Sequence, residues 1–121
     1  MKLLRAENAD RGTLLGSRIG RANRWWLRLR GLSGRDTLRE GEGLLLEPCR
    51  AVHMLGMRFP IDVVFLAADG SVVAVYPALA PGARTRYHRA ARSALELPAG
   101  TLASSGTREG DRILCSEQET S

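Results

Sequence analysis

The chain is poor in cysteine, in aromatic side chains and in lysine. Its 121 residues include two cysteines, 5% aromatic residues and one lysine beside 17 arginines. Two cysteines are too few for a disulfide scaffold, and no stretch approaches the roughly 20 consecutive apolar residues of a membrane helix. Arg5 interrupts the first residues before the apolar core of an export signal can form. We therefore expect a soluble, cytoplasmic protein with no membrane contact.

The remaining composition is typical of a globular protein. Hydrophobic residues make up 44% of the chain and charged residues 26%, with a net charge of +5. This is too hydrophobic and too weakly charged for a disordered chain, and a chain of this length can bury a core without a metal or disulfides. We expect one β-rich domain over residues 1–116, followed by a polar tail over residues 117–121.

Positive charge is concentrated in one segment. Residues 11–39 contain eight arginines and a single acid, Asp36. Clustered guanidinium groups favour phosphate, nucleic acid or acidic partners. A solvated face explains the same pattern, and the total charge is modest beside dedicated nucleic-acid binders. Nucleic-acid binding is therefore an alternative that ranks below binding of a small ligand.

Short β-rich runs separated by turn residues dominate the chain. The predicted strands are Lys2–Glu7, Thr13–Ile19, Leu44–Leu46, Ile61–Ala67, Val72–Tyr76, Arg92–Leu97 and Arg112–Cys115. Asp69-Gly70 between two of them predicts a tight hairpin. The pattern indicates a mainly β fold, a mostly antiparallel sheet curled towards a barrel, with α+β as the alternative class.

Helical periodicity occurs in one long segment. Between Arg21 and Arg30, apolar residues recur at helical spacing, and this stripe consists of Ala22, Trp25, Trp26 and Leu29. The stripe predicts an amphipathic helix that covers one opening of the barrel. A second, single helical turn is predicted over Thr101–Ser105, ending at Gly106.

The segment from Cys49 to Asp62 holds most of the unusual side chains. In a strand, Cys49, His53 and Met57 would share one face, because each is four residues from the next. Such a set would suit a soft metal. Pro48 and Gly56 interrupt regular strand geometry, so a structural role for the three side chains is the competing interpretation.

Asp62 precedes an apolar run, so its carboxylate enters a strand that should be buried. A buried carboxylate needs partners. The candidates are Arg58, His53, an arginine from the turn at residues 31–35, or backbone N–H groups. Paired with His53 or Arg58 in a cleft, Asp62 could act as a general base or help to hold an anion, and a structural pairing that closes the barrel is the competing interpretation.

An ordered set of motifs resembles a known family. The motifs are Arg30-Gly31-Leu32-Ser33-Gly34-Arg35, Gly41-Glu42-Gly43-Leu44-Leu45-Leu46, His53-Met54, Met57-Arg58-Phe59-Pro60-Ile61-Asp62-Val63-Val64-Phe65, Asp69-Gly70, Leu95-Glu96-Leu97-Pro98-Ala99-Gly100 and Gly110-Asp111. Together they resemble the domain of unknown function 192, an uncharacterised bacterial and archaeal family, from about Leu3 to Leu114. The resemblance implies a mainly β domain and no established reaction, substrate or cofactor.

From these observations we predict a small binding domain with its cleft between the His53–Asp62 segment and the tryptophan helix. The predicted ligand-binding residues are His53, Met57, Arg58, Asp62, Trp26 and Arg30. No catalytic residue and no cofactor are assigned, and Cys49, His53 and Met57 are the weak metal candidates. The alternatives are a hydrolase-like enzyme that uses His53 and Asp62, and a nucleic-acid binder that uses the arginine-rich helix.

Overall fold

A computed structural model describes residues 3–22 and 37–118 of the chain. In this part, seven strands and one short helix follow one another, which confirms the mainly β prediction. The elements are β1 Leu3–Asn8, β2 Thr13–Ala22, β3 Glu42–Leu46, β4 Ile61–Leu66, β5 Val72–Leu79, β6 Ser93–Pro98, helix α1 Thr101–Ser105 and β7 Ile113–Gln118.

The strands form one curled sheet in the order β5-β4-β6-β3-β2-β1-β7. Every neighbouring pair is antiparallel except β2 and β3, which are parallel. Among the described residues the sheet does not close into a barrel, because the edge strands β5 and β7 do not pair along their length. A single bridge, Ser71 to Arg112, joins them at one end.

The hairpin between β4 and β5 forms as predicted. Gly70 has φ 88°, a left-handed conformation that glycine adopts without a steric penalty. The Ser71 N–H donates to Asp69 Oδ1 at 2.9 Å, and the Gly70 N–H donates to the Ala67 carbonyl at 3.0 Å. Both contacts hold the tight turn that the Asp-Gly dipeptide indicates.

Strand β4 lies at the centre of the core, since all six of its residues are buried. Val64 and Leu66 join a cluster with residues of β1, β2, β6 and β7. Val63 and Phe65 belong to a second cluster with Met54, which comes from the segment before β4. Burial on both faces explains the apolar run of residues 63–66 within β4.

Several boundaries differ from the sequence-based expectations. Strand β2 continues through Arg21 and Ala22, so the predicted helix does not begin at Arg21, and the rest of that prediction lies outside the described residues. Strand β5 extends past Pro77, which an edge strand accommodates because its outer N–H groups need no partner. Strand β7 reaches Gln118, which pairs with Leu3, so it enters the segment predicted as a tail.

The single helical turn is confirmed. Helix α1 ends at Gly106, whose N–H donates to the Leu102 carbonyl and whose φ is 72°. Leu102 is buried in the core, so the turn packs against the sheet. No helix within residues 3–22 and 37–118 has the length and apolar character that a membrane crossing would need.

Candidate functional site

Two segments outside the sheet form an irregular antiparallel ribbon. The Met54 N–H donates to the Ala83 carbonyl at 2.8 Å, and the Thr85 N–H donates to the Val52 carbonyl at 2.9 Å. These two bonds flank the bridged pair His53 and Arg84. In such a non-hydrogen-bonded pair the Cα atoms are about 4.5 Å apart, and the two side chains project side by side.

Thr85 anchors the ribbon to the core. It is buried, and its hydroxyl accepts from the Val52 N–H at 3.0 Å and donates to the Arg86 carbonyl at 2.9 Å. The His88 N–H adds a bond to the Arg50 carbonyl at 2.8 Å. The backbone around His53 and Arg84 is therefore held in place before any ligand arrives.

The ribbon borders a cavity of about 510 Å³, which we call the His53 groove. Its lining residues are Ala51, Val52, His53, Leu55, Gly82, Arg84, Thr85 and Tyr87. Leu55 is 76% exposed and Tyr87 is 67% exposed, and both are large side chains that usually seek burial. None of the described acidic residues lines the groove, so it combines apolar surface with an imidazole and a guanidinium group.

An aromatic cluster lies beside this ribbon. The His88 ring packs on Phe65 with centroids 4.7 Å apart, and its Nε2 atom is 2.6 Å from the Tyr76 hydroxyl. The Arg86 N–H donates to the same hydroxyl at 3.3 Å. His88 is thus half-buried, and it ties the ribbon to strands β4 and β5.

The predicted site residues do not all meet. His53 is exposed and lines the groove, whereas Met57 is half-buried and packs against the core around Phe65. Arg58 is exposed and Asp62 is buried, and neither lines the groove. The two other predicted ligand-binding residues, Trp26 and Arg30, lie outside the described residues.

Asp62 is satisfied by backbone donors. Its Oδ1 atom accepts from the Ala78 N–H at 2.8 Å, and its Oδ2 atom accepts from the N–H groups of Gly100 and Leu102 at 3.1 and 2.8 Å. The residue is 1% exposed. Backbone N–H groups were one of the candidate partners, and their use leaves the carboxylate holding β5 and the start of α1 together. The geometry does not support a His53–Asp62 catalytic pair.

The metal candidates do not lie on one strand. Cys49 and Met57 do not belong to a regular strand, so the strand face on which they would meet His53 does not form. The Cys49 thiol donates to the Ala51 carbonyl at 3.2 Å. Over residues 3–22 and 37–118, no three His, Cys, Asp or Glu side chains are grouped closely enough to hold a metal ion.

A second buried carboxyl group is not among the residues predicted from the sequence. Glu96 lies on β6 between Leu95 and Leu97 and is 6% exposed. Its Oε1 atom has no hydrogen-bond partner among the described residues, and burial raises its pKa from the ordinary value near 4.5 to about 7. An acid within an apolar strand is the signal that singles out Asp62, and the same signal marks Glu96.

A smaller cavity of about 250 Å³ opens near the point where the sheet edges approach each other. Its charged lining residues are partly neutralised, since Arg92 pairs with Glu47 at 3.4 Å. Burial raises the pKa of the Cys115 thiol, which disfavours the reactive thiolate. This cavity offers a ligand less uncompensated charge than the His53 groove.

The fold and the groove define a mainly β protein with an open, curled seven-stranded sheet and a cationic, partly apolar surface groove. The chain belongs to the DUF192 family, described as an uncharacterised ACR, whose sequence model matches residues 6–115. A comparison with curated proteins gave no match.

Two solved structures are similar to this chain. One is described as a "putative transcription regulator" from Sinorhizobium meliloti 1021, with 26% identity, a TM-score of 0.76, and coverage of 95% of this chain and 94% of that chain. The other is a protein of unknown function from Novosphingobium aromaticivorans DSM 12444, with 19% identity, a TM-score of 0.75, and coverage of 92% and 82%. The second likeness concerns the fold alone.

Proposed function

We propose that this protein is a binding domain and that the His53 groove takes a small organic anion with an apolar part. The observation that carries the proposal is the pairing of His53 and Arg84 beside two exposed apolar side chains. The groove volume of about 510 Å³ is in the range of small-ligand sites. Because no carboxylate of the described residues lines the groove, an anionic group meets the guanidinium without a competing partner there.

The polar and the apolar residues of the groove would contact different parts of the ligand. Arg84 and His53 offer N–H donors to a carboxylate or phosphate, and a charged acceptor strengthens such bonds. Leu55 and Tyr87 would cover a ring or an alkyl chain, which removes their own apolar surface from water. The preformed backbone of the ribbon keeps the entropic cost of ordering the site low.

We place this function in the cytoplasm. Neither cysteine of the chain forms a disulfide. Reduced thiols are usual in cytosolic proteins.

Thermal shift measurements with matched compounds test the proposal. We expect phenyl phosphate and benzoate to raise the melting temperature more than inorganic phosphate, acetate or neutral benzamide. A ligand at about 100 times its Kd stabilises the folded state by about 2.7 kcal/mol. Each control compound lacks one of the two features. Inorganic phosphate and acetate carry an anion without a ring, and benzamide carries a ring without an anion.

A substitution pair locates the site. Arg84→Gln should weaken binding of phenyl phosphate at least fivefold in calorimetry, whereas Arg108→Gln should leave it unchanged. Arg108 is an exposed arginine that does not line the groove, and it matches the change in charge. Equal affinities of both variants, or no stabilisation by any of the anions, would refute the proposal.

A further inference from the structure

The surroundings of the His53 groove are free of acidic residues over long stretches of sequence. No Asp or Glu occurs between Glu47 and Asp62, or between Asp69 and Glu96. The two stretches supply both sides of the ribbon, and they contain both histidines of the chain and six arginines, Arg50, Arg58, Arg84, Arg86, Arg89 and Arg92. The ribbon is therefore a cationic surface.

Three of these arginines are available to a partner. Arg84, Arg86 and Arg89 are exposed, and within the part of the chain that the structure describes they make no ion pair. In contrast, Arg92 pairs with Glu47 at 3.4 Å, and Arg50 donates its Nε–H to the Ala91 carbonyl at 3.0 Å. We call the three available arginines, together with Tyr87, the basic track.

The backbone of the basic track is fixed at several points. Thr85 and His88 are bonded to the opposite segment, and the Arg86 N–H donates to the Tyr76 hydroxyl. Tyr87 is 67% exposed although its neighbours in sequence are anchored. An aromatic ring thus stands in water among available guanidinium groups, on a backbone that needs little further ordering.

We propose that the basic track binds single-stranded nucleic acid, with one nucleotide entering the His53 groove. Non-specific single-strand binding combines cationic groups that follow the phosphates with aromatic rings on which unpaired bases stack. A duplex offers the same phosphates but keeps its bases stacked on one another, so Tyr87 favours the single strand. This inference rests on the proposed function, because the groove must accept an anion with a ring.

Fluorescence anisotropy with a labelled thymidine 12-mer tests the inference. We expect micromolar binding at 50 mM salt. With three phosphate contacts the log–log salt slope should be about −2, so affinity should fall about tenfold by 150 mM salt. A duplex of the same length should bind at least fivefold more weakly, and equal or tighter binding of the duplex would overturn the inference.

Matched variants separate the basic track from general charge. Arg84→Gln/Arg86→Gln/Arg89→Gln should weaken binding more than tenfold. The control Arg18→Gln/Arg39→Gln/Arg108→Gln removes three exposed arginines elsewhere and should cost less than threefold. Equal losses in both triple variants would overturn the inference, because they would show attraction by net charge alone.

Base stacking has a separate readout. An abasic 12-mer should bind the native protein about fivefold more weakly than the thymidine 12-mer, and Tyr87→Leu should abolish that difference. If the difference is absent in the native protein, stacking on Tyr87 is excluded and the inference is overturned.

Competitors distinguish this inference from the proposed function. Displacement of the 12-mer by thymidine monophosphate at equal concentration would overturn the basic track and leave the small-anion groove in place. Displacement by a poly-glutamate peptide at equal concentration would identify an acidic-protein site and also overturn it. Failure of the 12-mer to bind, with phenyl phosphate still bound, refutes only the single-strand proposal.

Discussion

Two buried carboxyl groups on adjacent strands differ in their hydrogen bonding. In the pairing of β4 with β6, Asp62 lies opposite Leu97, and Glu96 lies opposite Val63, the next residue after Asp62. Since side chains alternate across a sheet, Asp62 and Glu96 point to opposite faces. Asp62 accepts three backbone N–H bonds, whereas Glu96 Oε1 accepts none from the described residues.

The difference shows that burial alone does not decide whether a carboxyl group stabilises or destabilises the fold. The three N–H groups around Asp62 satisfy both of its oxygens, and these bonds join β5 and α1 to β4. Around Glu96 the cost of burial is not offset, and the pKa rises to about 7. Asp62 therefore supports the fold through its hydrogen bonds, whereas Glu96 opposes the fold once it ionises.

Asp62→Asn should have the largest effect among substitutions of these acids. An asparagine keeps one oxygen and presents an NH₂ group where the other oxygen accepted, so at least one buried backbone N–H loses its acceptor. We expect a loss of about 3 kcal/mol in the free energy of unfolding, measured from urea midpoints at pH 7. A midpoint equal to that of the native protein would show that the three N–H bonds contribute nothing net.

Glu96→Gln should change the pH dependence of stability. The folded-state pKa of Glu96 lies above its unfolded value, so its contribution is fully present below about pH 4.5 and is lost as pH rises towards about 7. The native protein should lose about 3 kcal/mol from this group over that window, and the glutamine variant should not. The comparison uses the difference between pH 4.5 and pH 8 in each protein, so a constant offset from the substitution cancels.

Parallel pH profiles of the native protein and Glu96→Gln would refute this assignment. Asp62→Asn serves as the second control, since it leaves Glu96 in place and should keep the loss of stability between pH 5 and pH 7. The two variants thus separate an acid whose oxygens accept backbone hydrogen bonds from an acid that destabilises the fold when it ionises.

A third acid extends the comparison to a carboxylate paired with side chains. Asp111 accepts from the Arg11 guanidinium at 2.6 and 3.3 Å and from Asn8 Nδ2 at 3.0 Å, which holds its pKa well below the ordinary range. Its contribution is present above the unfolded pKa near 3.9 and is lost as pH falls. The free energy of unfolding of Asp111→Asn should therefore fall less than that of the native protein as the pH drops below about 4.

Circular dichroism at pH 2 to 5 measures this effect, with Asp111→Asn compared with the native protein. We expect a smaller effect at neutral pH than for Asp62→Asn, because Asp111 is less deeply buried, at 8% exposed against 1%, and its partner Arg11 is exposed. If the substitution leaves the dependence of stability on pH unchanged in this range, the Arg11–Asp111 pair does not contribute to the loss of stability in acid.

Asp69→Asn should have the smallest effect. The side chain is exposed, and its Oδ1 atom accepts the Ser71 N–H, which an asparagine oxygen can also do. Asn-Gly suits the same tight turn as Asp-Gly. We expect an unchanged urea midpoint, and a shift as large as that of Asp62→Asn would remove the contrast between buried and exposed acids.

Much of the fold could be predicted from local patterns. The apolar run of β4, the Asp-Gly hairpin and the turn ending at Gly106 depend on residues close together in sequence. The end of β2 could not be predicted in this way, because helical spacing from Arg21 competed with pairing to β3. Arg21 and Ala22 lie opposite Leu45 and Leu46 in that parallel pair, a long-range contact.

The candidate site was predictable only in part. The sequence marked His53 as an unusual side chain, but its neighbour Arg84 comes from a loop that no local pattern connects to it. Val52 and Thr85, which hold the two segments together, are 33 positions apart in the chain. Met57, Arg58 and Asp62 are near His53 in sequence, yet none of them lines the groove.

By itself, the sequence determined the strand-rich class, the hairpin and the need of Asp62 for a buried partner, since periodicity, turn chemistry and desolvation act on the local chain. Only the tertiary structure decided that the partners of Asp62 are backbone N–H groups, that one oxygen of Glu96 has no partner among the described residues, and that His53 lies beside Arg84. Which donor reaches a side chain depends on strand pairing and loop placement, and those contacts join residues far apart in the chain.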